Sequence, residues 1–258
     1  MFLWAIYEPN KTKALALAIV MMWLAAAGSI FTAETTTFES GETQTALIEL
    51  FTSEGCSSCP PAEKWLSAFN SSPDLWKKIV PVAFHVDYWN HLGWRDRFSK
   101  PEFTLRQQRY AADWGGDSVY TPGFVVNGRE WRDWFSGNAL PAALKKVGSL
   151  RVTLSDDGKV GATFVAGSVE LRALALNVAL LGNDLESDVK RGENTGRKLR
   201  HDFVVLSFAM IDMTHEGNRW TGLAMFPKQF GDDKPSALAA WITENATIIQ
   251  ATGGWLRR

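Results

Sequence analysis

The sequence contains little cysteine. Two residues of 258 are cysteines, and both lie in one tetrapeptide, Cys56-Ser57-Ser58-Cys59. Closing a disulfide across so short a loop removes little chain entropy, so the pair is poorly suited to stabilising the fold. A pair confined to one turn is more typical of cysteines that react. The sequence therefore predicts thiol chemistry at this turn.

The sequence also lacks an excess of charge of either sign. It has 27 basic and 28 acidic residues, which gives a formal net charge of −1 at pH 7. Nucleic acids and anionic membrane surfaces are bound through basic patches. We therefore expect neither as a partner. The composition, 46% hydrophobic and 21% charged, is that of a globular protein.

The N-terminal segment differs from the remainder of the chain. An apolar stretch from Ala14 to Ala27 follows Lys11 and Lys13, which is typical of an export signal. We expect residues 1–33 to be a cleaved signal peptide, with an uncleaved N-terminal membrane anchor as the alternative. Because the lysines stay inside, either form places the remaining chain outside the cytoplasm, in the periplasm or secreted. Any membrane contact would be made through this segment.

The pattern of apolar residues changes near residue 150. Before it, apolar runs that predict buried strands alternate with segments of helical spacing, which favours an α/β arrangement. From Leu150 onward the period is two, and the turns are rich in Gly, Asn and Asp, which favours a small β-sandwich. We predict two domains, one at residues 40–148 and one at residues 149–258.

The residues around the cysteines resemble the thioredoxin superfamily. A strand, the Cys56-Ser57-Ser58-Cys59 turn and a helix are followed some sixty residues later by Tyr120-Thr121-Pro122 and a strand. More narrowly, the segments 49–61, 85–89 and 192–197 resemble a family of exported bacterial thioredoxin-like proteins of unassigned function. This resemblance implies an α/β thioredoxin-like domain followed by a smaller all-β, sandwich-like domain.

We expect thiol-disulfide exchange with protein thiols or disulfides and no bound cofactor. Cys56, on the solvent side beside a helix N-terminus, is the expected nucleophile, and Cys59 the resolving thiol. The resemblance implies that the bond before Pro122 is cis and that Thr121 faces the sulfurs, with their backbone receiving a polypeptide. Glu49 is the nearest match to the family's buried acid, although its offset from Cys56 is one residue longer.

Several alternatives stay open at this point. Trp89 lies in an aromatic and charged loop of the kind that rims a binding groove, although core packing also explains it. The two cysteines could bind Cu(I) or Zn(II) together with His85 or His91. A non-catalytic adaptor that captures a partner through the β-rich half is a further alternative. We expect the basic stretch around residues 190–200 to be a solvated hairpin turn, and His201 to be a surface or core-packing residue.

Overall fold

A computed structural model describes residues 35–137, 140–141, 145–167, 170–227 and 232–256. The predicted signal or anchor, residues 1–33, lies outside the described residues. From residue 35 onward the chain forms one compact unit. Within the described ranges, no helix is both long and apolar enough to cross a membrane.

The described chain forms two α-helices and 15 β-strands. The helices are α1 (Cys59–Ser67) and α2 (Pro101–Asp113). The strands are β1 (Thr35–Glu39), β2 (Ala46–Thr52), β3 (Ile79–His85), β4 (Gly123–Val126), β5 (Arg129–Glu130), β6 (Gly148–Ser155), β7 (Lys159–Ala166), β8 (Ala175–Gly182), β9 (Leu185–Asp188), β10 (Lys198–His201), β11 (Val204–Asp212), β12 (Thr214–Glu216), β13 (Arg219–Met225), β14 (Ala237–Glu244) and β15 (Thr247–Trp255).

The strands form two large sheets and a hairpin. The larger sheet has eight strands in the order β15-β14-β8-β11-β3-β2-β4-β5, and the smaller has five in the order β1-β6-β7-β13-β12. Strands β9 and β10 form a separate two-stranded hairpin. Within the larger sheet, β2 and β3 are parallel, and β4 runs antiparallel to β2.

The predicted fold class is wrong. In the described chain 45% of the residues are in strands and 15% are in helices. It is therefore a mainly β protein and not an α/β thioredoxin fold followed by a separate all-β domain. Strand β11 of the second half pairs in parallel with β3 of the first half, at Val204 and Ala83. One sheet therefore continues across the two halves. The local period predicts strands, but it carries no information on which strand pairs with which.

Strand β2 separates two cores because successive side chains of a strand point to opposite faces of its sheet. Its even-numbered residues Ile48 and Leu50 pack in the core that contains α1. Its odd-numbered residues Leu47 and Phe51 pack in the core that contains α2. A third core lies between the two large sheets. This alternation decides which polar side chains of the candidate site can meet.

Candidate functional site

Cys56 and Cys59 form a disulfide at the start of α1, with their Cα atoms 5.5 Å apart. The turn is held by backbone hydrogen bonds from Cys56 N to Ser53 O (3.1 Å) and from Cys59 N to Cys56 O (3.3 Å). Cys59 is the first residue of α1, and Pro60 and Pro61 follow it. Proline is tolerated in a first helical turn because the N–H that it lacks has no partner there. The disulfide therefore lies at the positive end of the α1 dipole, although Pro60 and Pro61 offer no N–H group to a thiolate and the N–H of Cys59 is already bonded to Cys56.

Both half-cystines are buried, so the expectation that Cys56 lies on the solvent side is wrong. Cys56 is 1% exposed and Cys59 is fully buried. Asn194, which is itself fully buried, is bonded to the backbone of this turn. Its side-chain amide donates to the carbonyl oxygens of Glu54 and Cys56, at 2.9 Å each. The disulfide is accordingly closed off from solvent in this structure.

The segment that carries Asn194 connects β9 to β10, and we call residues 192–196 the covering loop. Glu193 of this loop accepts a 2.9 Å hydrogen bond from the backbone N–H of Ser57. That bond holds the pKa of the Glu193 carboxyl below its usual value. Arg197 donates to the Asn194 side-chain oxygen (2.8 Å) and so fixes the orientation of its amide. The predicted hairpin turn is present and its basic residues are exposed, but Glu193 and Asn194 also bond to the disulfide turn.

The Thr121–Pro122 peptide bond is cis. It lies just before β4, whose first residue Gly123 is paired with Phe51 of β2. Trp89 connects this loop to the disulfide turn: its indole N–H donates to Thr121 Oγ1 at 2.7 Å. On the other side, a Cβ at position 55 would lie 2.9 Å from the Trp89 Cβ, so only glycine fits there. The structure thus brings Trp89 and Thr121 to the C-terminal end of β2, next to the turn that carries the cysteines.

An open hollow of about 360 Å³ lies beside the cis proline. Trp65 of α1 packs against Phe124 and Trp131 at its base. Phe135 at its rim is 73% exposed. The hollow is lined by Tyr120, Thr121, Pro122, Phe124, Trp131, Arg132, Trp134 and Phe135. An aromatic surface of this kind, next to a backbone loop, suits an extended apolar segment of a partner.

Glu49 lies on the wrong face of the sheet to serve Cys59. As an odd-numbered residue of β2 it points toward α2, where Arg106 Nε donates to it at 2.7 Å and Tyr110 OH at 2.5 Å. Both of its oxygens are therefore engaged in a buried ion pair. The role of proton acceptor predicted for Glu49 is corrected to a structural one.

The carboxylate on the correct face is Glu63, which the sequence analysis missed. It lies four residues after Cys59 in α1, hence on the same side of the helix and one turn away. Thr52 donates to its Oε1 at 2.6 Å, and His201 Nδ1 lies 2.5 Å from its Oε2. The i, i+4 spacing from Cys59 is a signal that could have identified Glu63.

The charges of Glu63 and His201 stabilise one another. Burial raises the pKa of Glu63, but the charge of His201 and the hydrogen bonds outweigh burial, so this pKa lies below its usual value. Burial likewise lowers the pKa of His201, but Glu63 and Glu54 outweigh it and raise the pKa to about 10. His201 therefore carries a proton at neutral pH, within a buried ion pair.

His85 forms a second buried pair with Asp96. His85 Nδ1 lies 2.7 Å from Asp96 Oδ2, and both side chains are about 1% exposed. Burial raises the pKa of Asp96, but His85 and the backbone N–H groups of Glu54 and Phe98 outweigh burial and lower it. The rings of His85 and His201 are 5.2 Å apart. The acid–histidine cluster is therefore formed by Glu54, Glu63, His85, Asp96 and His201.

The alternative soft-metal site at the cysteines needs reduced sulfurs and stays a prediction. The sulfurs of Cys56 and Cys59 are bonded to each other, so neither is a thiolate ligand. His85 has its Nδ1 engaged by Asp96, and His91 is exposed, with its Nδ1 2.7 Å from the carbonyl oxygen of Tyr88.

The chain belongs to a family of proteins of unknown function, DUF1223. The family profile matches residues 47–243, more than half of the chain, and this range includes the disulfide, the cis proline and the covering loop. No curated protein matches the chain.

Two solved structures are similar. One is the X-ray crystal structure of a protein from Agrobacterium tumefaciens, with 26% identity, a TM-score of 0.60, and coverage of 83% of this chain and 95% of that chain. The other is HBP35 of Porphyromonas gingivalis, with 17% identity, a TM-score of 0.56, and coverage of 84% and 76%. The second is a likeness of fold alone.

Proposed function

We propose that this protein exchanges disulfides with protein thiols through the Cys56–Cys59 pair. The observation that carries the proposal is the setting of the disulfide: it lies at the start of α1, with Glu63 one turn behind it. The cis Thr121–Pro122 loop is joined to the same turn through Trp89. These are the residues that resemble the exchange motif of the thioredoxin superfamily. No bound cofactor is required.

The exchange proceeds in two balanced steps. A thiolate of a partner dithiol attacks Cys56 Sγ, the Cys56–Cys59 bond breaks, and Cys59 leaves as a thiolate. The second partner thiolate then attacks the partner sulfur of this mixed disulfide, and Cys56 leaves as a thiolate. The partner loses two electrons and two thiol protons, and Cys56 and Cys59 gain them. The reverse sequence reduces a partner disulfide.

The helix terminus and Glu63 assist Cys59. Cys59 lies at the positive end of the α1 dipole, which favours its thiolate as it leaves, although Pro60 and Pro61 supply no N–H group. The Cα atoms of residues four apart on a helix are about 6 Å apart, so the Glu63 carboxylate lies within one turn of that sulfur. Its ion pair with His201 holds a proton in the buried site. We assign this pair the exchange of a proton with Cys59.

The covering loop must move before a partner reaches Cys56. Three hydrogen bonds connect the loop to the disulfide turn, two from Asn194 and one to Glu193. At a net value of about 0.5–1.5 kcal/mol each, the two buried bonds of Asn194 make opening cost about 1–3 kcal/mol. Opening on that scale is thermally accessible, and a partner that binds the aromatic hollow can offset it.

We propose an extracytoplasmic location, periplasmic or secreted. The N-terminal pattern of Lys11, Lys13 and an apolar stretch supports it. A disulfide persists in such oxidising compartments, whereas cytosolic thiols are kept reduced.

Trapping tests the exchange directly. In Cys59→Ser the mixed disulfide on Cys56 has no resolving thiol, so a partner protein should remain attached and be released by reductant. Cys56→Ser is the matched control and should trap nothing. In parallel, the wild-type disulfide should oxidise a reduced test protein, and Cys56→Ser should not. Equal activity in both proteins, or an empty trap in Cys59→Ser combined with Asn194→Ala, would reject the proposal.

A further inference from the structure

We infer that Glu63, His85 and His201 form a binding site for one divalent cation of the zinc type, buried on the α1 side of the large sheet. One ligand atom from each of these residues can be chosen so that all three lie within 4.8 Å of one another. The three come from α1, β3 and β10, which the fold brings to one place. The site contains no sulfur, and it shares only His85 with the cysteine ligand set considered above.

His85 supplies the second observation that points to a ligand. Its side chain is 1% exposed, and its Nε2 atom has no hydrogen-bond partner. A buried nitrogen without a partner forgoes a hydrogen bond, which is rare in folded proteins. Its Nδ1 is meanwhile held by Asp96. An imidazole with one nitrogen on a carboxylate and the other free is the usual arrangement of a metal-binding histidine.

Of the other two residues, Glu63 has an outer hydrogen-bond partner, whereas His201 has only a carboxylate nearby. Thr52 donates to Glu63 Oε1 and leaves Oε2 facing His201. His201 has Nδ1 toward Glu63, and its Nε2 lies 3.4 Å from Glu54 Oε1 without hydrogen-bond geometry. A cation bound by Glu63 and His201 takes the place of the proton that they now share, and the two facing atoms, now 2.5 Å apart, must separate to admit ligand bonds of about 2 Å. His85 and Glu63 would then keep the partners that orient them, Asp96 and Thr52.

The charge of the cluster favours a cation. Three buried carboxylates, those of Glu54, Glu63 and Asp96, face two imidazoles. The three carboxylates carry a formal charge of −3, which the proton on His201 reduces to −2 in the metal-free protein, and a divalent cation in place of that proton reduces it to −1. Buried charge without compensation costs several kcal/mol per ion, on the order of the desolvation penalty for an isolated carboxylate. A divalent cation offsets two of these charges directly.

The donor set selects the class of cation. Two imidazole nitrogens and one carboxylate oxygen suit zinc and neighbouring first-row divalent ions, and Ca²⁺ and Mg²⁺ prefer sets made of oxygen alone. Cu(I) prefers sulfur, which the three residues do not provide. Zn²⁺ is therefore the ion to be tested.

The test is titration of the metal-free, disulfide-intact protein with Zn²⁺ alone. Binding is measured by calorimetry, and the number of bound ions is counted by native mass spectrometry. The site is buried, so Zn²⁺ is added both to the folded protein and during refolding from denaturant. We expect one Zn²⁺ per chain by at least one of these routes. Binding by neither route overturns the inference.

Variants locate the ion. His85→Gln should abolish binding, and Asp96→Asn should weaken it by about 10- to 100-fold because the outer partner of His85 is changed.

His215→Gln is the matched control. His215 lies in β12, where it is exposed and stacks on Trp220. Cys56→Ser combined with Cys59→Ser should bind Zn²⁺ as the wild type does. Equal binding by wild type and His85→Gln, with both folded by circular dichroism, overturns the inference.

Co²⁺ gives an independent readout of the ligands. A site of two imidazoles and a carboxylate should show visible ligand-field bands without the sulfur-to-cobalt charge-transfer band of a thiolate site. That charge-transfer band, if present in the oxidised protein, would place the ion elsewhere.

Discussion

The side-chain amide of Asn194 donates a 2.9 Å hydrogen bond to the carbonyl oxygen of Cys56, 138 positions earlier in the sequence. A second bond of the same length reaches Glu54. The residue is fully buried, so water does not compete for these bonds. A side chain from the β-rich half therefore holds the disulfide turn closed.

Asn194→Ala should open the disulfide to reductant. The variant loses two buried hydrogen bonds to the turn, worth about 1–3 kcal/mol together, so the reduction rate of the Cys56–Cys59 bond should rise roughly 5- to 150-fold. The measurement is the rate of reduction by dithiothreitol at fixed pH. Asn218→Ala, which removes a bond to Ala166 far from the disulfide, is the control and should leave the rate unchanged. An unchanged rate in Asn194→Ala would show that the loop is no barrier.

Acid should loosen the same loop through Glu193. The bond from Ser57 lowers the pKa of this carboxyl in the folded protein. A lowered pKa means that the contact is fully present above the ordinary glutamate pKa and is lost as the pH falls through the lowered value. The rate of reduction by a phosphine, which acts at acidic pH, should therefore rise in that range. Glu193→Gln should remove this rise, and a rise that persists in the variant would assign it to another group.

Gly55→Ala should destabilise the site by overpacking. The added Cβ would lie 2.9 Å from the Trp89 Cβ, so Trp89 must move and its bond to Thr121 is strained. The expected loss is about 1–3 kcal/mol in the free energy of unfolding, measured in urea. Gly41→Ala is the matched control because nothing lies within 4 Å of its added Cβ. Equal stability of the two variants would contradict the described packing.

Glu49→Gln and Glu63→Gln should differ in exchange rate, although each breaks a buried ion pair and so destabilises the fold. Glu49→Gln leaves Arg106 buried without its anion, and removing one partner of such a pair destabilises a protein by about 3–5 kcal/mol. Its exchange rate, measured where the variant is folded, should match the wild type. Glu63→Gln should instead lower the exchange rate by about 100-fold, the lower range for loss of a proton-transfer group. Slower exchange in Glu49→Gln alone would reverse the two assignments.

Local pattern predicted the disulfide turn, the helix after it and most strands, because periodicity and turn residues are properties of neighbours in sequence. The positions of Asn194 and His201 could not be predicted in this way. Each meets its partner, Cys56 or Glu63, across 138 residues. Contacts between residues so far apart in sequence depend on which strands pair with each other. The spacing of apolar residues along the sequence does not determine that pairing.

The face of Glu49 could have been predicted. Glu49 and Thr52 of β2 differ by an odd number of positions, so their side chains point to opposite faces. Thr52 is on the side of α1, where it reaches Glu63. Once α1 is placed against the even-numbered residues, Glu49 is excluded from the neighbourhood of Cys59.

The parallel pairing of β11 with β3, at Val204 and Ala83, sets a limit on dissection of the protein. A fragment that ends at residue 148 would leave β3 as a bare edge, open to aggregation. Such a fragment would also lack the covering loop and His201. The cysteine turn therefore cannot be studied apart from the second half of the chain. Shortened versions of the protein must retain the whole polypeptide from residue 35 onward.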